Sequence, residues 1–269
     1  MDMLGLQQHL SGLRSQGDRE GFRRLVDAVA GDRPQDSLRF CLPDLRSEDA
    51  ELLLDLGDQG LLVRPCFGWP GAVLTVRTTE ALELLGEIGD GLGPGISRLV
   101  VVPGVGSEGL TELLAMLPLS GLRSLRVEGN DLRSRQASVR PGVDNVVHLR
   151  FEGDRDVLGA IAALDTLEDL RVADNRLGPV GVRVLGALPA VRRLDLSNNP
   201  LGDAGAERLR GGFPALVDLR VAGCGIGDHG AEVLGSSRVG LERLDLRRNS
   251  VSEPSRRALE RLEIGRLLL

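Results

Sequence analysis

The sequence predicts an α/β solenoid: a right-handed β-α superhelix with a parallel concave sheet and helices on the convex side, preceded by a mainly helical N-terminal cap. Three observations carry this expectation. A strand-sized apolar phrase of the form L-x-x-L-x-L-x-x-N-x-L recurs seven times, opening at Ile96, Leu122, Val146, Leu167, Val191, Leu216 and Leu241. Successive openings lie 26, 24, 21, 24, 25 and 25 residues apart, a nearly constant period. After the strongest phrases the apolar spacing changes from two to that of a helix, as in GPVGVRVL after Leu177, GDAGAERL after Leu201 and GDHGAEVL after Ile226.

The N-terminal region reads differently. Leu6, Leu10 and Leu13 fall on one helical face, and Phe22, Leu25, Val26 and Val29 on that of a second helix beyond Gly17. Pro34 closes the pair. The run SLRFCL from Ser37 predicts a strand, and Ser47 with Glu48 and Asp49 predicts the start of a buried helix, because a hydroxyl cap and first-turn acids suit the helix dipole. The stretch LLVRPCFGWPG from Leu61 fits no repeat and is expected to be an irregular loop or cap packed around Trp69. AVLTV from Ala72 is a degenerate first repeat, with Leu74 and Val76 each 25 residues before Leu99 and Val101. Residues 1–70 are therefore expected to form an acidic, helical cap, and residues 71–269 a solenoid of about seven to eight units.

Within a unit, Leu194 and Leu196 share one side of a short strand and enter the core, while the residues between them face out. Asn175, Asn199 and Asn249 follow at the turn, where an amide can satisfy backbone groups left by the ending strand. Cys224 stands at the same place in LVDLRVAGCGI. The unit opened by Leu122 continues as RSRQASVRPGVDN, which has no apolar period and predicts a loop in place of a helix. At the far end Ile264, Leu267 and Leu269 begin a further phrase, a partial last strand. Its edge would be open to dimerisation or covered by the helix region at 256–263.

The copies LEDLRVADNRL, VRRLDLSNNPL, LVDLRVAGCGI and LERLDLRRNSV together resemble the ribonuclease-inhibitor class of leucine-rich repeats, over roughly the C-terminal two-thirds of the chain. The resemblance implies units that pair one strand with one full helix, and a structural Cys224, since cysteine is a known variant at the asparagine position.

Composition narrows the function. All 33 basic residues are arginine, which reads as codon bias in a GC-rich, bacterial genome. Residues 1–95 hold 9 arginines against 16 acids, and residues 96–269 hold 24 against 23, so neither part has the basic excess that nucleic-acid binding shows. Cys41, Cys66 and Cys224 are few and scattered, which favours a reducing compartment over a disulfide framework. The start MDMLGLQQHL is not a secretory signal, and no stretch has the length to span a bilayer. A soluble, cytoplasmic protein without membrane or nucleic-acid partners is expected.

One motif imitates chemistry. Gly104, Gly106 and Gly109 spell G-x-G-x-x-G between a strand and a helix, with Glu128 ending the next strand, as in a dinucleotide site. The same letters fit the repeat register, with Gly104 at the asparagine position and Ser107 as helix cap, so no cofactor is assigned. His9, His148 and His229 fall far apart in the register and form no metal site or triad. Absence of lysine removes phosphate-loop and Schiff-base chemistry, and no catalytic or metal residue is assigned.

What remains is the outward strand face. One column reads Val100, Arg126, Arg150, Arg171, Asp195, Arg220, Asp245, and the column before it Arg98, Ser124, His148, Asp169, Arg193, Asp218, Arg243. From Asp169 onward the signs alternate, which predicts compensating ladders of exposed ion pairs. Arg126, Arg150 and Arg171 instead form a like-charged row, with Glu128 and Glu152 two residues further along their strands. The acids neutralise the row, or the row grips a carboxylate-rich protein through forked hydrogen bonds, with His148 beside it. The concave columns hold no aromatic residue, so any aromatic anchor would be Trp69 in the cap loop. The expected function is a non-enzymatic scaffold that binds a protein partner on this face. Regulation of a small GTPase, as by similar repeat proteins that are GTPase-activating, and an NAD(P)-dependent oxidoreductase are the alternatives.

Overall fold

In the computed structural model the described residues are 8–9, 11–13, 15–32, 61–65, 71–78, 82, 85, 95–117, 119–130, 132, 157–186, 188–236, 240–262 and 264–269. Among the described residues nine strands follow one another in chain order: β1 Leu61–Pro65, β2 Ala72–Val76, β3 Ile96–Val101, β4 Ser124–Val127, β5 Asp169–Arg171, β6 Arg193–Asp195, β7 Asp218–Arg220, β8 Arg243–Asp245 and β9 Arg266–Leu268. Strand order never reverses. The printed repeat period is thus realised as one coil advancing on the last, the α/β solenoid class that the sequence predicts. By its contacts the chain divides into two compact units, Met1–Val105 with Glu112–Val127 and Thr166–Asp169, and Gly106–Thr111 with Glu128–Asp165 and Leu170–Leu269.

The first unit holds helix α1 (Arg19–Asp32) and strands β1 to β4. Ala72, Leu74 and Val76 alternate buried with half-buried Val73 and Thr75, the period of a strand with one covered face. β2 and β3 pair parallel, with Leu74 beside Leu99 and Val76 beside Val101, and β3 and β4 continue with Leu99 beside Leu125. The degenerate first repeat at Ala72 is therefore a true strand of the stack. The segment from Leu61 corrects expectation, because its first five residues are β1, antiparallel to β2. Leu61, Leu62 and Val63 suit an edge strand, and Pro65 ends it where a missing N–H is tolerated. Trp69 and Phe67 lie outside the described residues.

The second unit repeats strand and helix. Here β6, β7, β8 and β9 pair parallel in register, Leu194 beside Leu219, Leu219 beside Leu244 and Leu244 beside Leu267. Helices α3 (Val157–Ala162), α4 (Pro179–Leu185), α5 (Gly202–Gly211), α6 (Asp228–Ser236) and α7 (Glu253–Leu259) pack each against the next. Leu194, Leu196, Leu219, Val221, Leu244 and Leu246 from the strands meet Ala206, Leu209, Ala231, Leu234 and Leu259 from the helices in a continuous core. Each fully buried leucine contributes roughly 1.5–3 kcal/mol, yet only because a neighbouring coil covers it.

The coils opened by Leu122 and Leu167 are joined by backbone hydrogen bonds. Glu168 and Asp169 N–H both donate to Arg123 O, at 2.8 and 3.0 Å, and Gly129 N–H donates to Ala173 O at 3.2 Å. The coil opened by Leu122 is therefore bonded to the coil opened by Leu167, and no described strand comes from the phrase at Val146. A second correction concerns Ser107, which lies inside helix α2 (Gly106–Met116) and not at its cap. Gly106 N–H donates to Asn130 Oδ1 at 3.0 Å, so an amide from a neighbouring turn takes an orphan helix donor that a cap hydroxyl would otherwise serve.

Candidate functional site

Two polar systems organise the second unit. The first lies at the turn after each strand. Asn199 Oδ1 accepts from Asn175 N–H at 3.0 Å and from Leu177 N–H at 2.9 Å, while its Nδ2 donates to Val172 O and Leu196 O at 2.9 and 2.8 Å. Asn249 repeats this, accepting from Cys224 N–H and Ile226 N–H and donating to Val221 O and Leu246 O. Asn175 Oδ1 in turn accepts from Asn130 N–H at 2.7 Å. One buried amide thus holds the turns of two coils, which is why the sequence needs the same short side chain every period. Cys224 cannot supply an oxygen. At that turn Leu201 N–H and Gly202 N–H go instead to the Cys224 backbone carbonyl, at 3.1 and 3.0 Å, and the thiol donates to Leu196 O at 3.2 Å. Burial pushes the Cys224 thiol up to about 11, so it is protonated at neutral pH, the structural role expected of it.

A parallel device at the helix starts gave no signal in the phrase analysis. Asp203 Oδ1 accepts from Gly227 N–H and Asp228 Oδ1 from Ser252 N–H, both at 2.7 Å. The hydrogen bond from Ser252 holds the Asp228 carboxyl below its ordinary value. The recurring G-D of GDAGAERL and GDHGAEVL was the available clue.

The second polar system is the outward strand face. Strand register sets Arg193 beside Asp218 and Asp218 beside Arg243 in one column, and Asp195 beside Arg220 and Arg220 beside Asp245 in the next. Contacts across strands are long, 3.9 Å for Arg220–Asp195 and 3.9 Å for Arg243–Asp218. Two contacts along the chain are short: Arg220 donates from Nη2 to Asp218 Oδ2 at 3.1 Å within β7, and Arg247, just past β8, from Nη2 to Asp245 Oδ2 at 2.6 Å, while Arg243 and Asp245 within β8 stay 3.8 Å apart. The longer contacts contribute charge proximity and no hydrogen bond. The expectation of exposed pairs needs correction for the acids, since Asp245 is 2% exposed and covered by Arg243 and Arg247. Burial alone would raise the Asp245 carboxyl, but hydrogen bonds from the Arg247 side chain and N–H outweigh it and hold the group below its ordinary value.

The candidate partner residues fall unevenly. Arg126 is exposed on β4, with Val100 of β3 as its register partner. Glu128 is half-buried at the turn after β4, where its carbonyl accepts from Asn130 Nδ2 at 3.0 Å. Arg171 is half-buried on β5. His148, Arg150, Glu152 and Trp69 lie outside the described residues. His229 lies on α6, exposed, with its Nε2 3.1 Å from Glu207 Oε1 on the helix side and away from the strand face. Of the glycine motif, Gly104 and Gly106 both have positive φ, and the Gly106 N–H is spent on Asn130.

Repeated strand, amide turn and helix define a leucine-rich-repeat protein, and a model of the Leucine Rich repeat family matches residues 164–186, 189–209 and 215–235. The chain is similar to a bovine Tonsoku-like protein, 38% identical over 111 residues, a match that covers 37% of this chain and 7% of the length of that protein. It is also similar in structure to a crystallised internalin from Listeria monocytogenes, with a TM-score of 0.36 and 14% identity, over 68% of this chain and 56% of that one. At that score the internalin likeness carries no argument. No described helix is long and apolar enough to cross a membrane.

Proposed function

We propose that the chain is a non-enzymatic, cytoplasmic protein-binding module that docks a carboxylate-rich protein on the outward residues of its strands, with Arg126, Arg150 and Arg171 as its cationic anchors. In this reading residues 1–70 serve as the acidic cap and residues 71–269 as the binding body. The observation that supports it is the outward strand face: Arg126 is exposed between buried Leu125 and Val127 on β4, and Arg171 is half-buried beside buried Leu170 on β5. A forked guanidinium meets a carboxylate by two hydrogen bonds, which gives both energy and orientation. Replacing Arg126, Arg150 and Arg171 together with alanine should abolish recovery of partners on the immobilised protein, with the folded state checked by circular dichroism. Unchanged recovery would show the row to be a solvated surface.

A further inference from the structure

Within the first unit the outward positions of β2, β3 and β4 depart from the charge pattern of the second. Buried Ala72, Leu74 and Val76 alternate with half-buried Val73 and Thr75 on β2, and buried Leu99 and Val101 with half-buried Arg98 and Val100 on β3. Register sets Val73 beside Arg98, Thr75 beside Val100, and Val100 beside exposed Arg126. Val102 N–H donates to Val76 O at 3.0 Å, so the ladder runs one residue past β3 and brings half-buried Val102 level with exposed Arg77. Val100 is the centre of a small aliphatic patch. Thr75 and Arg126 flank it at about 4.8 Å on the neighbouring strands, and Arg98 and Val102 stand about 7 Å before and after it on its own. On the strands themselves these outward positions hold Arg98 and Arg126 and no acid; Arg77 adds a third cation past β2, and Glu128 one carboxylate past β4. The same two positions of β6, β7 and β8 are Arg193 and Asp195, Asp218 and Arg220, Arg243 and Asp245, which compensate one another.

We propose that this patch seats an extended segment of an acidic protein, in which an aliphatic side chain is flanked at alternate positions by carboxylates. The inference rests on the reading of the strand face as a dock for a carboxylate-rich protein and names the segment that it takes. Valine at an outward strand position leaves apolar surface in water where the second unit places a charge, and an aliphatic centre with arginines at its rim has the composition of an interface core. Charge decides the occupant. A side chain laid over Val100 stands between Arg98 on the same strand and Arg126 on the next, so a neutral or basic segment would desolvate guanidiniums and return no counter-charge. An extended chain carries the side chains of residues i and i+2 on one face about 7 Å apart, the separation of Arg98 from Val100. A carboxylate two residues from the aliphatic side chain therefore reaches a guanidinium when that side chain covers Val100, and a forked pair of hydrogen bonds fixes its place.

Fluorescence anisotropy of the full chain with a labelled peptide of about nine residues, alternating glutamate and leucine, should show saturable binding that weakens about tenfold or more when glutamine replaces each glutamate. Val100→Asp puts a carboxylate beside Arg126, as Asp195 and Asp245 stand beside Arg220, and should lower the affinity about tenfold or more at an unchanged denaturation midpoint. Val100→Thr keeps the β-branched shape and should lower it about threefold, as should Arg77→Glu; should Val100→Asp lower the midpoint, these two carry the test. Absence of binding overturns the proposal. So does equal binding of the glutamine peptide, affinity that the Val100 variants leave unchanged, or tighter binding of a uridine oligonucleotide than of the peptide. Partners recovered by Val100→Asp but lost by the variant without Arg126, Arg150 and Arg171 would overturn this inference alone, whereas unchanged recovery by that triple variant removes the reading beneath it.

Discussion

The two units end their strands by different means. In the second, Asn175, Asn199 and Asn249 each fasten the turn of the preceding coil, and the outward columns alternate arginine and aspartate. In the first, β2 and β3 carry Val73, Thr75 and Val100 outward, and the position corresponding to asparagine after β3 is Gly104 at φ +108°. One stack is cemented by amides that each serve two coils; in the other a glycine turn stands at that place, and hydroxyls such as that of Ser97, which donates to Ala72 O at 3.3 Å, link neighbouring coils. The difference teaches that one apolar phrase can be closed by side-chain hydrogen bonds or by backbone conformation, with different sensitivity to substitution.

Five measurements would break or sharpen this contrast. The largest effect belongs to Asn199→Ala, which strands buried donors at Asn175 and Leu177 and carbonyls at Val172 and Leu196. Urea denaturation should show a loss of about 4 kcal/mol, and a loss under about 1 kcal/mol would show that the amide does not cement the coils. Gly104→Ala in the first unit should cost about 1–2 kcal/mol from its positive φ alone, because nothing stands within 4 Å of the added carbon. A neutral result there would remove the claim that the backbone does the asparagine's work.

The third is a pH dependence confined to the second unit. The folded Asp245 carboxyl lies below its unfolded value, so the stability it contributes is present above the ordinary aspartate range and is lost as pH falls through the depressed folded value. Asp245→Asn should therefore flatten the acid limb of the stability–pH curve, and parallel curves for parent and variant would refute the assignment. Cys224 has the opposite sense. Its folded value is raised from 9.0 to about 11, so stability is lost as pH climbs through that interval, and peptide mapping after alkylation at neutral pH should find Cys224 unmodified in the folded protein. The smallest effect is that of Arg126→Ala, under about 0.5 kcal/mol for an exposed side chain, so any loss of partner recovery it causes reads as binding.

Much of the site geometry was legible because it is periodic. A leucine every second residue and an asparagine every 24 or 25 can only stack, and the alternation of Arg193, Asp195, Asp218, Arg220, Arg243 and Asp245 translated directly into columns. What the period does not contain is which turns share an amide: Asn130 is bonded to Asn175, 45 residues on, where the other turn amides reach across 24 or 25. The burial of Asp245 was equally hidden, because the covering guanidinium of Arg247 comes from two residues along the same strand path, beyond any column read by phrase.

The sequence by itself determined the repeating coil, the inward leucines, the amide at each turn and the structural place of Cys224, since these follow from side-chain direction and local hydrogen bonding within one period. Only the tertiary structure decided which coils are neighbours, that β1 runs antiparallel and that Asn130 in place of Ser107 serves the helix start. Those outcomes depend on which surfaces meet, and the free energy of stacking belongs to the interface between coils and to no single phrase.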